Sequence, residues 1–327
     1  MLSDQRRWLK TRWPWIAAGI AFVMFLPYIL WNVTHDMAHL EFMRNASGDK
    51  YSGLTPLTFL TGQLLVQNPF TLPLWICGLY FLFVHRKGKP FRALGLLYLV
   101  PLLILLVNWR SKPEYLGSAY ALLFAGGGVM IEQWLSGARV RWLRPVAATL
   151  LAAGIIFAPV MLPILPVETY IRYADALGIK PMTPERKQLA DLPQFYADMF
   201  GWEELAKTVA EVYNQLSPAD QARTIIFTTN YGRAGAIDFF GRKYGLPRAY
   251  SGHNNYYLWG PPKETPAVII LIGGRVEDHR QSLEEVEQVA TKTCQHCMPY
   301  ENNVPIFVGR GFKRSVAEIW PSTKHYD

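Results

Sequence analysis

Arg110 and Lys112, in the run NWRSKPEYLGSAYALLFAGG, stand between two apolar stretches that are each long enough to cross a bilayer. Long basic side chains at helix ends can carry their charge out to lipid headgroups. Alternatively, the guanidinium and ammonium groups can form a site for a lipid phosphate, helped by the amides of a helix that begins near Pro113 to Tyr115. A second constellation is HDMAH, which puts His35 and His39 at i and i+4 on one helix face with Asp36 between them, the spacing of the HExxH zinc proteases. Aspartate is one methylene shorter than the glutamate that must reach zinc-bound water, and no third ligand follows at a suitable distance. The segment therefore reads as a polar interfacial helix, with His35 and Asp36 lining an outer cavity. A third, SGHNNYYLWGPP, gathers His253, Asn254, Asn255, Tyr256, Tyr257 and Trp259 between Gly and Pro. Amide and imidazole donors beside aromatic faces suit a sugar ring, whereas the same aromatics can also pin a loop to a core.

The three cysteines are too few for a disulfide framework. Cys77 falls in an apolar span and reads as a buried small hydrophobe. Cys294 and Cys297 form one CxxC around His296, without the second ligand pair of a structural zinc site. If this region lies outside the cytoplasm, a local disulfide is expected ahead of an idle thiol pair, zinc or redox catalysis. No set of metal ligands is read in the chain. TTNYGRAGAIDFFGRKYGLP follows the strand pattern TIIFT and predicts a helix from Ala234 to Tyr244 closed by Gly245. Gly232 and Gly235 do not complete GxGxxG, so a closely packed turn at Gly232 is preferred to a nucleotide site.

These groups need a scaffold, and the charge distribution says of what kind. Through Leu165 there are 15 Lys and Arg against 6 Asp and Glu, and beyond it 18 against 19, so the net charge of +8 belongs to the first half. A nucleic-acid binder concentrates cations on its soluble domain, which excludes that class here. Apolar segments of spanning length fall at about 13–31, 54–84, 91–109, 115–135 and 145–165. Basic residues cluster before the first span, in HRKGKPFR and in SGARVRWLR, which alternate with the other loops and predict a cytoplasmic N-terminus and an exported tail. Trp13, Trp15, Trp31, Trp109, Trp134 and Trp142 sit at the proposed span ends, where indoles prefer the headgroup layer. The second segment holds Gln63, Gln67, Asn68 and Pro69. It reads either as a helix from about Pro56 to Gln67 followed by a short span from Phe70 to Val84, or as one long helix with a proline kink. No ionisable residue sits mid-span and no repeat relates the helices, which disfavours a transporter. The expected fold is an α-helical membrane bundle over 1–165 followed by a small extracytoplasmic α/β layered domain over 166–327. Its strands are TIIFT, AVIILIGG and VPIFVGRG, and QSLEEVEQVA is a surface helix.

Four stretches carry a family resemblance. SKPEYLGSAYALLFAGG resembles the lysine-proline-tyrosine-leucine segment that opens a late span in multi-span glycosyltransferases of the protein-mannosyltransferase-like group (family 39, C-type). LPYILWNVTHDMAHLEFMRNA, NYGRAGAIDFFGRKYGLPRAYSGHNNYYLWGPP and CQHCMPYENNVPIFVGRG are similar to segments of its bacterial membrane branch. The resemblance implies a glycosyltransferase that moves a sugar from a polyprenyl-phosphate donor to an acceptor outside the cytoplasm of a bacterial inner membrane. It assigns a donor-phosphate role to Lys112, with Arg110 and Tyr115 beside it, and an acceptor-facing role to His253, Asn254, Asn255, Tyr256 and Trp259. Members usually carry further spans before this region and a first outer loop with a catalytic acidic residue. Asp36, Glu41 and Asp49 are the acidic residues of the outer loop here, and none stands in that context. The chain therefore reads as the C-terminal half of such an enzyme, partnered by an N-terminal half or another membrane protein. It has no cofactor of its own, and a divalent metal is left to the complete enzyme. A non-catalytic, membrane-anchored glycan- or lipid-binding subunit is the alternative.

Overall fold

The computed structural model describes residues 4–48, 51, 53–108, 110–137, 139–183, 185 and 188–327, with side chains from Arg7 onward. Asp49 and Trp109 lie outside the described residues. The chain forms two compact units, one of Met1–Thr34 and Ser47–Ala174, the other of His35–Ala46 and Asp175–Asp327. Sequence alone put the segment 35–46 with the spans and the boundary near residue 165. The segment instead groups with the second unit, because Asn45 donates to the Tyr326 carbonyl (2.7 Å), Lys324 pairs with Glu41 (2.7 Å) and Phe42 packs edge-on against Tyr326.

Among the described residues of the first unit, four helical stretches are long and apolar enough to cross a membrane: Trp13–Thr34, Arg86–Val107, Pro113–Trp134 and Leu143–Met161. These stretches contain helices α1 (Trp13–Thr34), α5 (Arg92–Val107), α6 (Tyr120–Trp134) and α7 (Leu143–Ala153). A fifth span results if α3 (Pro56–Val66) and the Pro69–Phe83 stretch containing α4 (Leu72–Phe83) are counted as one, although the two are bent by 88°. Of the two readings of 54–84, the split is the one observed. Thr55 opens α3 with a capping box, and Pro69 cannot continue the helix. Asn68 takes a positive φ of 64° at the corner. Its side chain accepts from the Phe70 amide (3.1 Å) and donates to the Gly154 carbonyl (2.8 Å), so polar backbone freed by the break finds partners inside the unit.

HDMAH does not lie on one helix. Thr34 ends α1, a turn takes residues 35–37, and α2 (Ala38–Gly48) begins after it. Asp36 and Met37 both have positive φ, 52° and 56°, which redirects the chain and removes His35 and His39 from a shared face.

The second unit is built on a sheet of five strands in the order β2-β1-β3-β5-β4. These are β1 (Thr224–Thr228), β2 (Ala249–Ser251), β3 (Val268–Ile272), β4 (Leu283–Lys292) and β5 (Val304–Phe312). β1 pairs in parallel with β2 and β3, whereas β5 is antiparallel to both β3 and β4. All five residues of β3 are buried, as expected for a central strand covered on both faces. On one face the helices Trp202–Asn214 and Tyr231–Phe240 place Leu205, Val209, Ala234 and Ile237 against Ile226, Ile270 and Ile306. On the other, Ile269, Leu271, Leu283, Val286 and Phe307 form a second cluster. The helix expected from Ala234 runs instead from Tyr231 to Phe240, followed by a tighter turn ending at Gly245 with φ 74°. The expected surface helix QSLEEVEQVA is a strand: it is edge strand β4, whose ladder on β5 slips between Gln288 and Ala290.

Candidate functional site

Lys112 stands in extended conformation just before the turn Pro113–Ala119, which runs on into α6. Three neighbours fix its backbone. Gln63 of α3 donates to the Pro113 carbonyl (3.0 Å), buried Ser111 donates to the Leu105 carbonyl (2.8 Å), and Gly62 lies so close to Pro113 that no Cβ fits between them. The Gln63 Oε1 atom beside this junction is buried and accepts no hydrogen bond. The Lys112 ammonium lies 4.7 Å from the centre of the Tyr51 ring, a cation–π contact, and the Tyr115 phenol interacts with the Tyr51 phenol beside it. Arg110 is engaged elsewhere: its guanidinium donates to the Ser47 carbonyl. Lys112, Tyr115 and Tyr51 thus form one group, with Arg110 bracing the chain beside it.

The SGHNNYYLWGPP loop uses most of its polar atoms on the chain's own last residues. Asn254 donates to the Asp327 carbonyl and accepts from the Asp327 amide, both at 3.0 Å. Asn255 accepts from the Tyr326 hydroxyl, and buried His253 packs against His325 with ring centres 4.3 Å apart and planes tilted by 33°. Tyr256 donates to Asp238 (2.8 Å), and burial together with that carboxylate raises its phenol well above the ordinary value. Trp259 differs from these four: its ring is exposed and packs at 4.5 Å against Tyr256. His35 is half-buried and Asp36 exposed, both within the second unit.

A buried polar cluster was not legible as a site in the sequence. Arg233, from the NYGRAG run, donates to Glu301 Oε2 (2.9 Å), to the Tyr300 carbonyl (3.0 Å) and to Thr229 (3.4 Å). Lys292 is fully buried, and its ammonium donates to the Glu301 carbonyl (2.7 Å) beside Cys294 Sγ (3.3 Å). Burial pulls that ammonium below its ordinary range. Cys294 and Cys297 are joined as a disulfide, with Cα atoms 6.0 Å apart. Gly201 opens the helix Trp202–Asn214 at φ 90°, and a Cβ there would collide with the Lys292 ammonium, so position 201 requires glycine twice over.

Asp198 borders this cluster. Burial raises its carboxyl above the ordinary value, and Glu185 and Glu301 push the same way against hydrogen bonds from Gln194 and Tyr300. A carboxyl raised in the folded state contributes stability that is full below its unfolded pKa of about 3.9 and is lost as pH rises through the raised value. Asp198→Asn is therefore expected to unfold at a higher temperature than the parent at pH 7. The two melting curves should converge below about pH 4; a constant difference across pH would remove Asp198 as the cause.

Comparison with protein families, with curated proteins and with solved structures finds no match to this chain.

Proposed function

We propose that the chain serves a membrane glycosyltransferase that takes its sugar from a polyprenyl-phosphate carrier on the extracytoplasmic side of a bacterial inner membrane. In this reading the first unit lies in the bilayer with its N-terminus inside, and the second unit lies outside. The observation that carries it is the group at the head of α6, where Gln63, Ser111 and Tyr51 hold Lys112 at the start of a stretch long and apolar enough to cross a membrane. A fixed ammonium there suits a lipid phosphate.

The acceptor's hydroxyl oxygen bonds to the anomeric carbon as the bond from that carbon to phosphate oxygen breaks. The electron pair leaves with polyprenyl phosphate, and the hydroxyl proton passes to a base that is not among the residues assigned here. Negative charge grows on the departing phosphate, so a cation positioned beforehand lowers the barrier. Lys112 supplies that cation, and the Tyr115 hydroxyl is a second donor beside it. Arg110 shapes the loop through Ser47. The exposed Trp259 ring, a stacking face for a sugar, supports the alternative of a glycan-binding subunit without turnover.

Binding of a labelled polyprenyl-phosphate hexose to the full chain in nanodiscs tests the reading. Lys112→Ala is expected to weaken binding about tenfold, the worth of one charge-assisted hydrogen bond, while Lys112→Arg largely retains it. Unchanged affinity in Lys112→Ala would leave the lysine as packing for Tyr51.

A further inference from the structure

His253 and the pair His325 and Asp327 lie far apart in the sequence, yet the fold lays them side by side. The tail runs parallel to the loop: His325 N donates to Gly252 O (3.0 Å), and Asn254 N donates to His325 O (2.9 Å). A Cβ at Gly252 would overlap the Thr323 carbonyl, so the two backbones touch only because that residue is glycine. Asn254 holds a positive φ of 52° to complete the clamp. One ligand atom from each of His253, His325 and Asp327 falls within 4.8 Å of the others.

Two details distinguish this cluster from an ordinary hydrogen-bonded contact. Asp327 Oδ1 is buried and makes no hydrogen bond, and His253 Nε2 lies 3.3 Å both from it and from the Asp327 main-chain oxygen. That spacing matches the edge of about 3.3 Å between ligand atoms around a tetrahedral ion with metal–ligand distances near 2.0–2.1 Å. In addition, the two ring nitrogens of His325 each lie 3.0 Å from a carbonyl oxygen, Nδ1 from Thr323 and Nε2 from Thr229. A neutral imidazole has one N–H, so one of these nitrogens turns a lone pair toward an oxygen. A divalent cation would take one lone pair from each ring and one from the carboxylate, and the His325 nitrogen that binds it would exchange its carbonyl contact for the ion.

We propose that His253, His325 and Asp327 form a binding site for a divalent transition-metal ion of the zinc class. Two imidazoles and one carboxylate suit such borderline ions, whereas magnesium and calcium prefer oxygen ligands throughout. The His325 nitrogen not used for the metal donates to a backbone carbonyl, the arrangement that fixes tautomer and ring orientation in metal-bound histidines. The ion fastens the tail to the loop after β2, and three protein ligands leave a coordination position for water or a small anion. This site is independent of the lipid-phosphate site at Lys112.

The test uses the full chain in detergent, purified by a tag without histidine, stripped with chelator and dialysed against Zn²⁺. Elemental analysis is expected to give one more zinc per chain than in the His253→Gln/His325→Gln double variant, and a melting temperature that rises with Zn²⁺ but not with Mg²⁺. Asp327→Asn should weaken zinc binding by more than about tenfold. If the double variant fails to fold, His325→Gln alone carries the comparison, because His325 is exposed on the tail. Equal zinc content in parent and variant overturns the site. So does a zinc-free parent that His325 stabilises only on acidification, which would assign the cluster to a proton instead.

Discussion

Arg233→Met is expected to destabilise the second unit by about 3–5 kcal/mol, enough to lower its melting temperature by roughly 10 °C. The side chains of Arg233 and Glu301 are 10% and 5% exposed, and the guanidinium also serves the Tyr300 carbonyl. Removing the cation strands a carboxylate, and a carbonyl loses its donor. Most of the loss is thus the cost of an unpaired buried charge rather than the net value of the pair. A cycle separates the two: Arg233→Met/Glu301→Gln should recover a large part of what Arg233→Met loses. Thermal unfolding of the full chain followed by near-ultraviolet circular dichroism checks both, and a double variant as unstable as Arg233→Met would show that the ion pair is not the cause.

Gly127→Ala should disrupt the first unit, at a cost of about 1–3 kcal/mol or more. Helices α4 and α6 approach so closely that a Cβ at Gly127 overlaps the Leu74 carbonyl, and one at Gly78 overlaps that of Leu123. Backbone cannot step aside as a side-chain tip can, so the helices must separate along their length. Gly128 is the internal control, with nothing within 4 Å of its added Cβ. Gly128→Ala should leave the melting temperature of the detergent-solubilised chain unchanged while Gly127→Ala lowers it. Gly78→Ala/Gly127→Ala should cost less than the sum of the singles, because either one already forces the same separation. Equal melting temperatures for Gly127→Ala and Gly128→Ala would remove the close approach as a stabilising feature.

How much of this could be read from the residues depended on whether the deciding contact was local. A break between α3 and α4 was legible because Asn68 and Pro69 carry its cause in adjacent positions, but whether it was a split or a kink was not. β4 was misread because its buried residues Leu283 and Val286 are three apart, as on a helix face. The slip at Gln288/Ala290 disrupts the alternation a strand would show, and the outer edge leaves Glu284, Glu285 and Glu287 in solvent, where charge also guards an open ladder. HDMAH failed as a helix through two consecutive left-handed residues, neither of them glycine, for which no sequence signal exists. The clusters around Arg233 and His253 were half-visible. Arg233 and Glu301 each lay in a stretch that looked functional, as did His253, but the pairing of Arg233 with Glu301 and of His253 with the tail residues is tertiary and no local periodicity records it.

The right-angle corner at Asn68 bears on biogenesis. α3 has 11 residues and α4 has 12, or about 16 and 18 Å, against a hydrocarbon core of about 30 Å, so neither alone has the length of a membrane-crossing helix. Two partners of this region, α6 beside α4 and the Gly154 carbonyl that receives the Asn68 amide, are synthesised later. This stretch therefore cannot complete its packing until those downstream companions have been made.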